Sequence, residues 1–314
     1  MKILIKKICQ FLILLVVTLV LLSIITKNMF IEKIQNPEHF NLHGDINTLI
    51  LGDSQAQFAF NPEYIHNSVN AAIVAEPLFY TFYKLKFIYQ KNRQLKNIIL
   101  STSPHNLSEF NEEKLFDSED LMHFYDQYYM LLNKNGKSVI RKWNQPFIIS
   151  SIKFDYGIPL ELYKNLHLWI KIACSKQQPS DYAFWGGYDT RIRTDIQMKR
   201  IQWIIAKHYY NGDRIAPKSE IMLQSLKKIA AFCHKNRLQL WLVTPPLHET
   251  YRERIPAFYR KLLKETTHDL SSSPGVHYAD YSTLQLPDSF FYDCDHLNTR
   301  GANAFSHIIN TLLQ

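Results

Sequence analysis

The chain has 314 residues and a mass of 37.0 kDa, enough for one large domain or two small ones, so it is neither a peptide nor a disulfide-stapled miniprotein. Hydrophobic residues at 46% and charged residues at 20%, with 9 Gly and 13 Pro, exclude a disordered or low-complexity chain. Lys plus Arg (36) exceed Asp plus Glu (28), which suits an anionic partner; with no zinc-ligand spacing and no RNA-recognition string, nucleic acid is not expected among the partners.

The first element is an uncharged run of 19 residues, Ile8 to Thr26, whose length as a helix approaches the ~30 Å hydrocarbon core of a bilayer. Lys2, Lys6 and Lys7 precede it, and the basic bias places the N-terminus in the cytoplasm. Residues 1–27 therefore read as an uncleaved single-pass anchor in the lipid bilayer, and the body as extracytoplasmic, periplasmic or at the cell surface. A cleaved signal peptide fits less well, because the run exceeds the usual ~7–15 residues and no small-x-small site follows it. Of four cysteines, Cys9 lies in this run; Cys174, Cys233 and Cys294 remain in the body, an odd number that leaves at least one thiol free. Cys233 sits on a helical pattern and reads as a small hydrophobe.

Residues 28–46 read as a polar connector to a body spanning 47–314. Its first strand, Asn47 to Leu51, is a short apolar run closed by Gly-Asp-Ser. A helix over Pro77 to Lys91 leads to a second buried strand, Leu95 to Thr102. A helix from Pro217 to Lys235 precedes a strand at Leu238 to Thr244. A further helix within Ile255 to Asp269 precedes a strand at Val276 to Tyr278, and Gly301 to Leu313 closes the chain as a helix. Continuous apolar strands separated by helices indicate a parallel sheet covered on both faces, a doubly wound α/β architecture. Residues 107–214 break this rhythm and read as a helical insertion. Its aromatics, among them Phe124, Tyr125, Tyr128, Tyr129 and the Trp185-Gly186-Gly187-Tyr188 turn, are either platforms for sugar rings or lipid or simply the insertion's own core.

Chemistry concentrates at two places. Ser54 follows Gly52 and Asp53 at the end of the first strand, where backbone N–H groups can meet an oxyanion. The string lacks the second glycine of the G-x-S-x-G elbow. Far along the chain, Asp293 and His296 stand three apart before the last helix. A serine hydroxyl needs an imidazole as base and a carboxylate to orient it, and this pair offers both. Asp295 adjoins His296 too, but Asp293 is the better placed to orient it. Cys294 between two acids is disfavoured as a thiolate. His248 follows the third strand and His105 the second, so both are candidates to touch substrate. No cluster has metal-ligand spacing and no phosphate loop or dinucleotide fingerprint occurs, so no metal or other cofactor is expected.

These two blocks resemble the SGNH, or GDSL-type, hydrolase superfamily. The resemblance implies a three-layer α/β/α flavodoxin-like fold, with Ser54 as nucleophile, His296 as base and Asp293 as its orienting acid. It also implies oxyanion donors at Ser54 N–H and Asn106, while Val69-Asn70-Ala71-Ala72 stands where the family has a glycine donor. The likeness covers residues 47–106 and 217–314. Anchor and domain together look like the cell-envelope branch of the superfamily. That implies a serine esterase or O-acyltransferase acting on an acylated glycan or other ester, with a membrane-bound acyltransferase as a conceivable partner. The alternative is an inactive relative that binds polysaccharide or serves as a scaffold in an envelope acylation complex.

Overall fold

A computed structural model describes residues 2–35, 40–115, 128, 131–143 and 186–313. The chain divides into two compact units, one formed by Met1–Phe40 with Leu132–Phe184 and the other by Asn41–Leu131 with Trp185–Gln314.

In the first unit, helix α1 runs from Lys2 to Gln35, so it continues through the first part of the expected connector. A second helix spans Lys134–Trp143. Among the described residues no helix is long and apolar enough to cross a membrane, so the expected transmembrane helix is not found there. The apolar run Ile8–Thr26 lies on α1.

The second unit is built on five parallel strands: β1 (Thr48–Leu51), β2 (Ser68–Asn70), β3 (Asn97–Ser101), β4 (Gln239–Thr244) and β5 (Val276–Asp280). Their order across the sheet is β2-β1-β3-β4-β5, with Thr48 opposite both Ser68 and Asn97, Ser101 opposite Val243 and Thr244 opposite Asp280. The chain therefore winds one way from β1 to β2 and the other way from β3 onwards. Such an order leaves a crevice beyond the carboxyl ends of β1 and β3, where the winding reverses.

Helices α2 (Ser54–Ala59), α3 (Leu78–Lys91), α4 (Met198–Tyr209), α5 (Glu220–Lys235), α6 (Ala257–Ser271) and α7 (Thr299–Leu312) complete the unit. Alternate strand residues Ile50, Ile99 and Val243 share one core with Ala56 and Ala59 of α2 and with Phe305 and Ile309 of α7. The intervening residues Leu49, Ile98, Leu100 and Leu242 are equally buried, so the opposite face is covered as well. There α5 packs on β4 and against α3. The result is a mixed α/β unit whose parallel sheet is consistent with three layers.

The expected elements recur with small boundary shifts. Helix α5 begins at Glu220 because the Ser219 hydroxyl caps it by accepting from Met222 N at 3.1 Å. Strand β2 matches no apolar run. Within 107–214, the described parts are short helical turns before residue 116, Tyr128, the helix Lys134–Trp143, an extended stretch over residues 186–197, and α4. Phe124, Tyr125, Tyr129, Trp185 and Cys174 lie outside the described residues. Tyr128 is a core residue rather than a platform: it is fully buried and its hydroxyl donates to Glu76 at 2.7 Å.

Phe305→Ala empties a fully buried ring from the layer joining α7 to the sheet. It is expected to lower the unfolding free energy by about 3–5 kcal/mol, read as a lower denaturant midpoint at unchanged slope.

Candidate active site

Strand β1 ends against Gly52, whose φ is +136° and where a Cβ would come within 3.0 Å of the Ala56 and Ser101 Cβ atoms. Only glycine makes that exit without strain. Asp53 then caps α2, its Oδ1 accepting from Gln55 N at 3.0 Å, and Ser54 becomes the first residue of the helix.

The opposite wall is the loop between Phe290 and α7, and local hydrogen bonds hold its shape. Tyr292 N donates to His296 O at 2.9 Å. Asn298 caps α7 by accepting from Arg300 N and Gly301 N while its own amide donates to Ser289 O at 2.8 Å. A Cβ on Gly301 would fall 2.2 Å from Phe290 O, so α7 can start this close to the loop only with glycine there.

The two walls bring three expected residues together. His296 Nε2 lies 2.7 Å from Ser54 Oγ, and His296 Nδ1 lies 2.8 Å from Asp293 Oδ1. Asp293 is buried, and it also accepts from Arg200 Nη2 at 3.0 Å and from Asp295 N at 3.2 Å. Asp295 is buried with Oδ1 3.5 Å from His296 Nδ1, a longer approach than that of Asp293. Phe58 of α2 meets the imidazole edge to face, with ring centroids 5.2 Å apart. The Arg191 guanidinium lies 4.9 Å from the centroid of the same ring.

Charge shapes the titration of this loop. Burial works against an ionised Asp293, but His296 and Arg200 overcome it and hold the carboxyl at about 2. For Asp295, burial prevails and the neighbouring Asp293 charge adds to it, lifting the carboxyl to about 6. Burial would depress His296, yet the Asp295 and Asp293 carboxylates raise it to about 9. The carboxylates on this loop thus favour the protonated imidazole over the neutral one. Cys294 is buried and its thiol is pushed up by burial and by the flanking carboxylates, which removes it as a nucleophile.

The remaining expected residues have other partners. Asn106 sits on the turn after β3, where its Oδ1 accepts from Ser103 N and its Nδ2 donates to Asp53 Oδ2, both at 2.7 Å. One of its two amide protons is thus engaged. His105 is 4% exposed with Nε2 2.7 Å from the same Asp53 oxygen, so within the chain its partner is the residue before Ser54. His248 is also buried: Nδ1 lies 2.7 Å from Thr250 Oγ1 and Nε2 3.2 Å from Asp288 Oδ1, while its backbone N–H donates to Cys294 O at 3.1 Å. It caps the short helix Glu249–Arg252 and ties that helix to the His296 loop. On the loop after β2, where the resemblance led a glycine donor to be expected, the N–H groups of Ala71, Ala72 and Ile73 donate to Ile50 O, Asn70 Oδ1 and Gly52 O.

Arg200, Phe58 and Arg191 escaped sequence reasoning, since a contact 93 positions away, such as that of Arg200 with Asp293, leaves no periodic signal. The donors to Asp53 were discoverable in outline, because Asp53 is part of the Gly-Asp-Ser block. Asp293, Asp295 and His296 also offer three ligand atoms within 4.8 Å of one another, a grouping the sequence spacing did not suggest. A cation bound at Nδ1 would displace the proton that joins His296 to Asp293.

No protein-family model matches the chain, and no curated protein matches it. A solved structure from Streptococcus pneumonia, provisionally described as a platelet activating factor, is similar at 11% identity, over 90% of this chain and 92% of that one, with a TM-score of 0.42.

The His296 proton is expected to titrate near 9 by NMR, and Asp293→Asn is expected to return it toward the ordinary 6.5 by removing one of the carboxylates that raise it. Because the folded value lies above the unfolded one, the stability this proton contributes is complete below 6.5 and fades as the pH climbs to about 9. For Asp293, held at about 2, the contribution is present above 3.8 and lost as the pH falls through 2.

Proposed function

We propose that this chain is a serine esterase or O-acyltransferase of the SGNH type. The observation that carries the reading is the unbroken hydrogen-bonded line from Ser54 Oγ through both nitrogens of His296 to Asp293. In this reading Ser54 Oγ attacks the ester carbonyl carbon while its proton passes to His296 Nε2, and the carbonyl oxygen becomes an oxyanion. Ser54 N–H and the second N–H of Asn106 hold that oxyanion. The tetrahedral species collapses, the bond to the leaving alcohol breaks, and Nε2–H protonates the alcohol. Water or a sugar hydroxyl then attacks the acyl-serine, giving its proton to Nε2, and Ser54 is released. Asp293 keeps the imidazole aligned and stabilises its positive form.

The substrate class follows from the resemblance rather than from the site: an acylated glycan or other ester of the cell envelope, reached from an extracytoplasmic position. Membrane anchoring belongs to the same proposal. It is supported by the apolar side chains that α1 leaves uncovered, Phe11, Ile13 and Leu14 among them at 63–65% exposure, and by the basic residues before them. A second reading, an inactive relative that binds glycan or serves as a scaffold, is favoured by the three engaged N–H groups at Ala71, Ala72 and Ile73, which leave the oxyanion fewer donors.

A fluorophosphonate probe separates the two readings. Labelling confined to Ser54 and abolished by Ser54→Ala or His296→Ala is expected from the enzyme, whereas an unlabelled wild-type chain would establish the inactive relative. Esterase kcat/KM on a small acyl ester is expected to rise with pH toward about 9 as His296 loses its Nε2 proton, so a rate independent of pH would exclude His296 as the base. Removal of residues 1–27 is expected to move the protein from the membrane fraction to the soluble one.

A further inference from the structure

We infer that His105 is a positioning residue for the nucleophile, acting on Ser54 through a hydrogen bond to the Asp53 carboxylate; the inference rests on the catalytic reading of Ser54.

Asp53 is 4% exposed and accepts three N–H donors: Gln55 N on Oδ1 at 3.0 Å, and His105 Nε2 and Asn106 Nδ2 on Oδ2, each at 2.7 Å. The carboxyl is ionised, held at about 2 against the cost of burial chiefly by His105, so it accepts only and Nε2 must carry the shared proton. Asp53 is also the residue whose peptide leads into Ser54, and its carbonyl receives Gln57 N at 3.0 Å in the first turn of α2. Whatever fixes the Asp53 side chain therefore fixes where the Ser54 hydroxyl starts. A shift of about 1 Å at such a place can cost roughly 100-fold in rate.

His105 is itself held by means that leave it no other polar task. Its ring stacks on His208 at 4.7 Å and 19°, and His208 Nδ1 lies 2.8 Å from the Tyr251 hydroxyl. His105 Nδ1 is buried and has no hydrogen-bond partner among the described residues. A buried polar atom without a partner costs free energy, and a phenyl ring would keep the stack without that cost. What only the imidazole supplies is the Nε2 proton aimed at Asp53. The stacked row thus links α4, which carries His208, to the start of α2, and does so at a residue that sequence position alone had offered as a substrate contact.

The test is the rate at which a fluorophosphonate labels Ser54 in the full-length chain, measured for wild type, His105→Phe and His105→Gln, with thermal melting of each. His105→Phe keeps the stack and removes the donor, and is expected to slow labelling about 10- to 100-fold. His105→Gln carries an N–H at similar reach and is expected to restore most of the rate. Labelling of a folded His105→Phe at the wild-type rate overturns the inference, and so does equal loss in the two variants, which would assign the effect to packing. Should His105→Phe fail to fold, His105→Asn, too short to reach Asp53, is expected to be slow, and a wild-type rate there overturns the inference. Absence of wild-type labelling removes the catalytic reading and this inference with it, whereas unimpaired His105→Phe removes this inference alone.

Discussion

One contact of 2.7 Å, between residues 242 positions apart, organises the second unit: His296 Nε2 against Ser54 Oγ. It forms only if the loop before α7 returns to the carboxyl end of β1, and much of the surrounding structure serves that return. Helices α2 and α7 share one core beneath it, Asn61 N donates to Ser306 Oγ at 2.8 Å, and the Asn61 amide donates to Asn303 at 2.8 Å. The stretch over residues 186–197 crosses both walls, with Asp189 N donating to Gln57 O at 3.2 Å, Asp195 N to Tyr292 O at 2.7 Å, and Thr299 N to Arg191 O at 2.7 Å. The two ends are joined by packing below and by backbone hydrogen bonds alongside.

The electrostatics of that contact favour a charged imidazole. Asp295, Asp293 and Asp53 all act to raise His296, against the burial that would lower it. Arg200 moderates the arrangement from the surface, since its guanidinium balances Asp293 without touching the ring. An imidazole surrounded by carboxylates makes a firm link between two loops.

The sheet was legible where burial on both faces writes continuous apolar runs, as in β1, β3 and β4. It was not legible at β2, where Ser68-Val69-Asn70 occupies the edge of the sheet and only Asn70 is buried. Three polar-flanked residues at an edge carry no pattern to read. The serine, histidine and aspartate stood out because their spacing is set by local geometry, a strand exit and a turn before a helix. His105 and His248 were placed at the right edge of the sheet, but their partners within the chain were not foreseen. Position after a strand locates a residue, while its hydrogen bonds depend on which side chains the fold brings opposite, here Asp53 and Asp288.

The loop at Ala71 and Ala72 is held by hydrogen bonds on both its N–H groups and its carbonyls. Its N–H groups are directed inward, and its carbonyls are engaged from two sides. From beneath, Lys84 Nζ donates to Ala71 O at 2.5 Å and pairs with Glu76, which also receives the Tyr128 hydroxyl, all three side chains being fully buried. From above, Gly187 N donates to Ala72 O at 3.1 Å, and a Cβ on Gly186 would fall 2.3 Å from that same oxygen. A buried ion pair contributes little net stability beside well-packed apolar residues, but removing one partner leaves a stranded charge and is costly. Lys84 and Glu76 therefore act mainly to hold this carbonyl in one orientation. Across from this loop, the Asp53 carboxylate accepts from Gln55 N at the start of α2 and from the Asn106 amide on the turn after β3, and so ties those two segments together.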